Sequence, residues 1–211
     1  MFQDRIQAAQ LLTQSLMQYR GKKPLVLAIP RGGVPLGRYI ADKLEGELDV
    51  VMVRKLGSPM DPELAIGAVS EGGDVYITTN ASRLGANEEY IESEVGNQLR
   101  LIHRRRAQYT PVRPPISPKN RIVIVVDDGL ATGATMLTAL RSLQSLGPER
   151  VICAIPVAPA NTLDPIREYC DELICLNEAQ YFSGVGSFYQ DFSQVDDSEV
   201  IALLRGGDRS P

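Results

Sequence analysis

Two adjacent carboxylates, Asp127 and Asp128, close the aliphatic run IVIVV at residues 122–126, and the stretch GLATGAT follows at 129–135. A short apolar run of this kind reads as a strand buried on both faces. The acids then stand at its C-terminal end, and the small residues form a turn into a helix. Backbone N–H groups in such a turn, together with a helix N-terminus, favour an anion. Thr132 and Thr135 add hydroxyl donors. The turn therefore suits a phosphate monoester. The carboxylates suit hydroxyl groups, because they accept hydrogen bonds from a vicinal diol and can hold Mg²⁺ directly or through water. A phosphate beside a diol is a ribose 5-phosphate. Two other phosphate-binding arrangements fail on residues. A triphosphate loop needs Gly-Lys-Ser/Thr, and no lysine is present here. A dinucleotide fingerprint places its acid about 20 residues after G-x-G-x-x-G, whereas these acids precede glycines spaced G-x-x-x-G.

Two further runs place candidate groups directly after apolar segments. AIPRGGVPLG follows the first such segment, and VRKLG ends the second. Taken alone, PRGG fits a tight Gly-Gly turn, and a basic pair at a strand end is common. Their position repeats that of Asp127 and Asp128, which is where α/β sheets bind ligands.

The elements that would position these runs follow from periodicity. Ile6, Ala9, Leu12, Leu16 and Met17 make residues 3–18 an amphipathic helix. Residues 24–30 read as a strand, and 34–46 as a helix with Leu36, Ile40 and Leu44 four apart. LDVVMVRK (48–55) is a second strand and DVYITTN (74–80) a third. The segment 56–73 between them reads as a loop or loose hairpin, long enough to serve as a lid. Residues 88–108 form a long helix on Ile91, Val95, Leu99 and Ile102, with glutamates early and arginines late, which complements the helix dipole. His103 and Arg104 to Arg106 on it read as a solvated face; an anion site at a subunit interface is the sharper reading. A proline-rich connector leads to the strand 122–126, then a helix from Met136, strand 149–158, helix-like 163–170 and the short strand 171–176. The remainder is aromatic and glycine-rich and ends in a short helix, DDSEVIALLRG. This alternation predicts an α/β fold with a mainly parallel sheet flanked by helices.

Composition narrows the function. A net charge of −4 over 211 residues makes a phosphate-backbone partner a poor fit, so no nucleic-acid partner is expected. The three cysteines, Cys153, Cys170 and Cys175, lack metal-site spacing and read as buried free thiols in a reducing compartment. No signal-peptide pattern is visible, and no aliphatic run approaches the roughly 20 residues that span a bilayer. A soluble cytoplasmic protein without membrane association is expected.

VVDDGLATGAT resembles the phosphoribosyl-pyrophosphate (PRPP) motif of the type I phosphoribosyltransferases. AIPRGGVPLG resembles that family's pyrophosphate loop, and VRKLG the Arg-Lys pair that several purine enzymes place near the pyrophosphate. The resemblance covers about residues 24–160, in motif order and strand order. It implies a type I core over residues 1–176, including the N-terminal helix and an inserted helix near 88–108, and a small C-terminal hood over 177–211. The segment 56–73 holds the place of the family's mobile catalytic loop. The implied PRPP-binding residues are Arg31, Gly32 and Gly33, then Arg54 and Lys55, then the run Asp127, Asp128, Gly129, Leu130, Ala131, Thr132, Gly133, Ala134 and Thr135. Lys55, Asp127 and Asp128 are the implied catalytic residues. Mg²⁺ would be held at Asp127 and Asp128 through water or the ribose hydroxyls. A non-proline cis peptide is expected at Arg31–Gly32. Tyr181, Phe182, Phe188 and Tyr189, with Phe192, could stack on a heterocycle in the hood.

The implied reaction moves a 5-phosphoribosyl group from PRPP to a nitrogen of a small nucleobase-like acceptor and releases pyrophosphate. Family members are commonly dimers, so a homodimer is one implied state. The 6-oxopurine enzymes carry an aspartate just before Thr-Gly, proposed as a base at the purine; this chain carries Ala131. That counts against hypoxanthine or guanine without establishing adenine. Two alternatives share the same residues: a non-catalytic PRPP- or nucleotide-sensing regulatory module, and a phosphohydrolase of related sugar phosphates. No added DNA-binding helix pair accompanies the first, and no nucleophile–histidine arrangement the second.

Overall fold

The structure is a computed structural model describing residues 1–62 and 64–206. Glu63, within the expected loop 56–73, and the last five positions of the expected hood segment 177–211 lie outside the described residues. The strands are β1 (Leu25–Ala28), β2 (Glu47–Val50), β3 (Val53–Gly57), β4 (Ala65–Ser70), β5 (Val75–Ile77), β6 (Ile122–Val126), β7 (Arg150–Pro159) and β8 (Glu172–Ala179). The helices are α1 (Arg5–Leu16), α2 (Gly33–Leu44), α3 (Glu88–Tyr109), α4 (Ala134–Gln144), α5 (Asp164–Arg167) and α6 (Asp197–Arg205).

Five strands form a parallel sheet in the order β2-β1-β6-β7-β8. Alternate residues explain why its inner strands are aliphatic throughout. Val26, Ala28, Ile124 and Val126 face a core shared with α1 and α2. Leu25, Leu27, Val123 and Val125 face a second core shared with α4. Burial on both faces removes the polar alternation of a half-exposed strand. From β1 the chain moves outward to β2 and later returns to β6 on β1's other side, with Ala28 in register with Val126. The strand order reverses at that point, which opens a crevice between the loops that follow β1 and β6.

One strand expectation changes. Residues 48–55 are not one strand. β2 ends at Val50, and after two residues β3 begins in a separate antiparallel sheet of order β3-β4-β5. The physical reason is the partner: Arg54 and Lys55 pair with Val69 and Ala68 of β4, not with the parallel sheet. Of the two forms expected for 56–73, loop or loose hairpin, β3 and β4 make the hairpin. Its tip is tied by Ser58, whose backbone N–H donates to the Leu64 carbonyl at 2.9 Å and whose hydroxyl donates to the Asp61 carbonyl at 2.9 Å.

The expected solvated face on α3 is also divided. His103 and Arg104 are exposed, while Arg106 is buried and pairs with the buried Asp49 of β2 at 3.0 Å. Asp49 also accepts the Ile116 backbone N–H at 2.9 Å, so one carboxylate joins β2, α3 and the proline-rich connector. β8 runs to Ala179, past residue 176. The chain beyond it is joined to the N-terminus: Phe2 N–H donates to the Phe188 carbonyl at 2.7 Å, and Gln190 N–H to the Phe2 carbonyl at 2.8 Å. Among the described residues no helix is long and apolar enough to cross a membrane.

Candidate active site

The crevice is walled by the segments that directly follow β1 and β6. After β6, the Asp128 backbone N–H donates to Asp127 Oδ1 at 2.8 Å, which fixes the first carboxylate against its own turn. Burial, and then the neighbouring Asp128, push the Asp127 carboxyl well above the usual carboxylate range. Burial also raises Asp128, and Arg5 opposes it. Residues Gly129 to Met136 line a cavity of about 400 Å³ whose other walls include Lys55, Asp127 and Val185. Its floor is the turn into α4, so the positive end of that helix dipole lies beside the cavity.

The loop after β1 approaches the acids closely. A side chain at Gly32 would overlap the Asp128 carboxylate, and a Cβ at Gly33 would lie 2.6 Å from the Val126 carbonyl oxygen. Only hydrogen fits at either position, which accounts for the paired glycines. The non-proline cis bond lies at Pro30–Arg31, one bond before the expected Arg31–Gly32. Gly32 already has helical angles (φ −60°, ψ −33°) as the cap of α2, so the irregular peptide precedes it.

A cleft of about 610 Å³ joins this loop to Asp127, Asp128, Arg54, Lys55 and Thr135. Thus Arg31 and Gly32, the basic pair of β3 and the acidic pair of β6 share one space, and Lys55, Asp127 and Thr135 also line the smaller cavity. Arg54 Nε donates to Gln98 Oε1 on α3 at 2.5 Å. Burial, and then the charge of Arg105, lower the Arg54 pKa. Arg105 itself lines the cleft and pairs with Asp197 at 3.3 Å.

The expected stacking aromatics lie elsewhere. Tyr181 is 94 % exposed. Phe182 and Phe188 stack on each other with centroids 5.6 Å apart. Tyr189 is buried, and its hydroxyl donates to the Asp128 backbone carbonyl at 2.6 Å, so it supports the acidic turn from behind. None of these four lines the cleft; Phe192 does, with Val185, Gln194 and Val195. The pairing of the hood segment with Phe2 decides which rings turn inward. Arg5 is the residue that sequence reasoning missed. It reaches Asp128 Oδ2 through Nε at 2.9 Å and Nη2 at 2.8 Å. No local signal marked it: the N-cap Asp4 already supplies a carboxylate at that helix end, and the partner of Arg5 lies 123 positions away.

The donor set admits Mg²⁺ in one form. Among the described residues no group of three or more His, Cys, Asp or Glu side chains could enclose a metal, and Arg5 already occupies one oxygen of Asp128. Mg²⁺ retains several waters and binds through one or two carboxylates together with substrate phosphates. A carboxylate pair of this kind would hold Mg²⁺ only with waters and ligand phosphates completing its shell.

The glycine-rich turn after β6 and the loop after β1 thus meet at the switch point of a parallel sheet, and comparison identifies the class. The phosphoribosyl transferase domain matches residues 3–191, and the chain belongs to that family. Two Mycobacterium tuberculosis proteins, from strains CDC 1551 and H37Rv and named provisionally as phosphoribosyl transferases, are 38 % identical over 205 residues, 97 % of this chain and 46 % of theirs. The chain therefore spans about half the length of these curated relatives. A crystal structure of a Thermus thermophilus protein is similar along nearly its whole length, with a TM-score of 0.81, 41 % identity and coverage of 97 % of this chain and 98 % of that one. A uracil phosphoribosyltransferase of Thermococcus sibiricus is 24 % identical over 167 residues, 74 % of this chain and 71 % of its own.

Proposed function

We propose that the cleft binds PRPP with Mg²⁺ and transfers its 5-phosphoribosyl group to a ring nitrogen of a nucleobase-like acceptor, releasing pyrophosphate. The observation that carries this reading is the meeting of three sequence-distant segments: Arg31–Gly32, Arg54–Lys55 and Asp127–Asp128 share one cleft, and the turn 129–135 lines a cavity that shares Lys55, Asp127 and Thr135 with it. The turn 129–135 would hold the 5-phosphate at the N-terminus of α4. Asp127 and Asp128 would accept hydrogen bonds from the ribose hydroxyls. The loop at Arg31 to Gly33 would cradle the diphosphate, with Arg54 and Lys55 offsetting its charge as it leaves. Mg²⁺, when bound, would supply further neutralisation of the leaving group.

The chemical demand is a positive charge growing at the ribose carbon while diphosphate departs. Positioned charges in a cleft shielded from water meet it without a protein nucleophile. The β3–β4 hairpin flanks the cleft through Lys55 and would limit entry of water. Ala131 offers no proton acceptor, so this turn position contributes no side-chain base to the acceptor. The wall formed by Val185, Phe192 and Gln194 would receive the acceptor, with an amide to read its edge. The uracil enzyme among the relatives makes pyrimidines part of the test.

The test is pyrophosphate release from PRPP and Mg²⁺ with a panel of adenine, hypoxanthine, uracil, orotate and nicotinate. Release that depends on one base supports transfer. PRPP binding without release on any base would instead favour the nucleotide-sensing reading.

A further inference from the structure

Arg5 holds three groups at once. Its Nε and Nη2 share Asp128 Oδ2, its Nη1 donates to the Ser193 carbonyl at 2.7 Å, and its guanidinium carbon lies 3.9 Å from the centre of the Phe192 ring. The side chain is only 11 % exposed, so these contacts are made in a largely dry setting. Asp128 belongs to the ribose end of the cleft, whereas Ser193 and Phe192 belong to the hood segment that forms its acceptor wall. We propose that Arg5 is a positioning residue that fixes the ribose-binding carboxylate and the acceptor wall as one unit. The proposal rests on the PRPP reading above and assigns it a residue outside the matched motifs.

The geometry supports this in two ways. The fork takes one oxygen of Asp128 and leaves the other as the acceptor offered to a ribose hydroxyl. The guanidinium also offsets the Asp128 charge that the substrate's phosphates would otherwise meet. At the hood, the same guanidinium gives residues 192 and 193 a cation–π contact and a charge-assisted hydrogen bond. Loosening one end of the guanidinium therefore loosens the other. The loop at Arg31 to Gly33 and Arg5 meet through the Asp128 carboxylate, against which Gly32 lies; among the described residues the loop makes no hydrogen bond to Arg5.

That separation gives the test. PRPP and inorganic pyrophosphate, each with MgCl₂, are titrated calorimetrically into the wild type, Arg5→Ala and Arg5→Lys, with hydrogen exchange followed over residues 191–195. Truncating one member of a buried, hydrogen-bonded charge pair should weaken PRPP by about tenfold or more. Pyrophosphate should stay within about twofold of wild type on the same scale. Arg5→Lys, which keeps the charge and loses the fork, should fall between the two. Exchange over 191–195 should quicken in Arg5→Ala, and also in Phe192→Leu, which leaves the ion pair intact. Equal weakening of both ligands would show a general loosening of the fold and overturn the assignment, as would unchanged PRPP affinity. If the wild type binds no PRPP, the functional reading falls and the role of Arg5 falls with it. Wild-type binding with an indifferent Arg5→Ala removes only Arg5.

Discussion

Asp127 and Asp128 crowd two carboxylates into a buried turn that a ligand-free protein would be more stable without. Because their carboxyl groups titrate above the ordinary range, the folded state holds protons that the unfolded chain has released. Stability must then fall as pH rises from the ordinary carboxylate range through the raised one. Asp127→Asn is expected to raise the melting temperature of the ligand-free protein by a few degrees at pH 7.5 and by less at pH 4.5. A thermal-shift series across pH checks this, and a lowered melting temperature at pH 7.5 would contradict it. Gly33→Ala forces a methyl group against the Val126 carbonyl and should cost about 1–3 kcal/mol in urea unfolding. These residues were legible in the sequence because each stands directly after its own strand, within one local run. Arg5 was not, because it meets Asp128 across 123 positions and no motif surrounds it. The aromatic hood residues were legible as a composition but not as an orientation. Which ring faces inward depends on the pairing of Phe2 with residues 188–190.

At the scale of elements, the buried Arg106–Asp49 pair ties α3 to β2. Asp49→Ala would leave the buried Arg106 guanidinium with only its longer contact to Glu71 at 3.7 Å and free the Ile116 N–H. We expect a loss of about 3–5 kcal/mol, measured by denaturant unfolding; a change below about 1 kcal/mol would place the pair among weak surface bridges. The break between β2 and β3 could not be read from the sequence. Val50 to Lys55 keep a strand-like composition, and composition does not say which sheet a strand joins. The four-residue strand β1 and the five-residue strand β6, by contrast, were legible as continuous aliphatic runs, since both faces are covered. The hairpin was only half legible: AIGAVS of β4 is built from small residues that mark a strand weakly, yet it is the partner that holds Arg54 and Lys55 at the cleft.

For the whole molecule, alternation of strands and helices was enough to predict a parallel sheet with its chemistry at the carboxyl ends of the strands, and the order reverses between β1 and β6, where the cleft lies. Which residues of the N-terminal and C-terminal segments pair was not predictable from local pattern. Phe2 is buried against Tyr189 at 5.3 Å, and Tyr189 in turn supports the Asp128 turn. Phe2→Ala should therefore destabilise the protein by about 3 kcal/mol in chemical unfolding and quicken hydrogen exchange in residues 188–191 before the sheet responds. Synchronous exchange throughout would show that the N-terminus has no local role. On the proposed reading, the cleft assembled from three distant segments is a PRPP site built on the acidic pair. Calorimetric titration of PRPP with MgCl₂ into the wild type and into the Asp127→Asn/Asp128→Asn double variant tests it most directly. The predicted result is saturable binding at one site per chain by the wild type and none by the variant. No binding by the wild type, or equal binding by both, would contradict it.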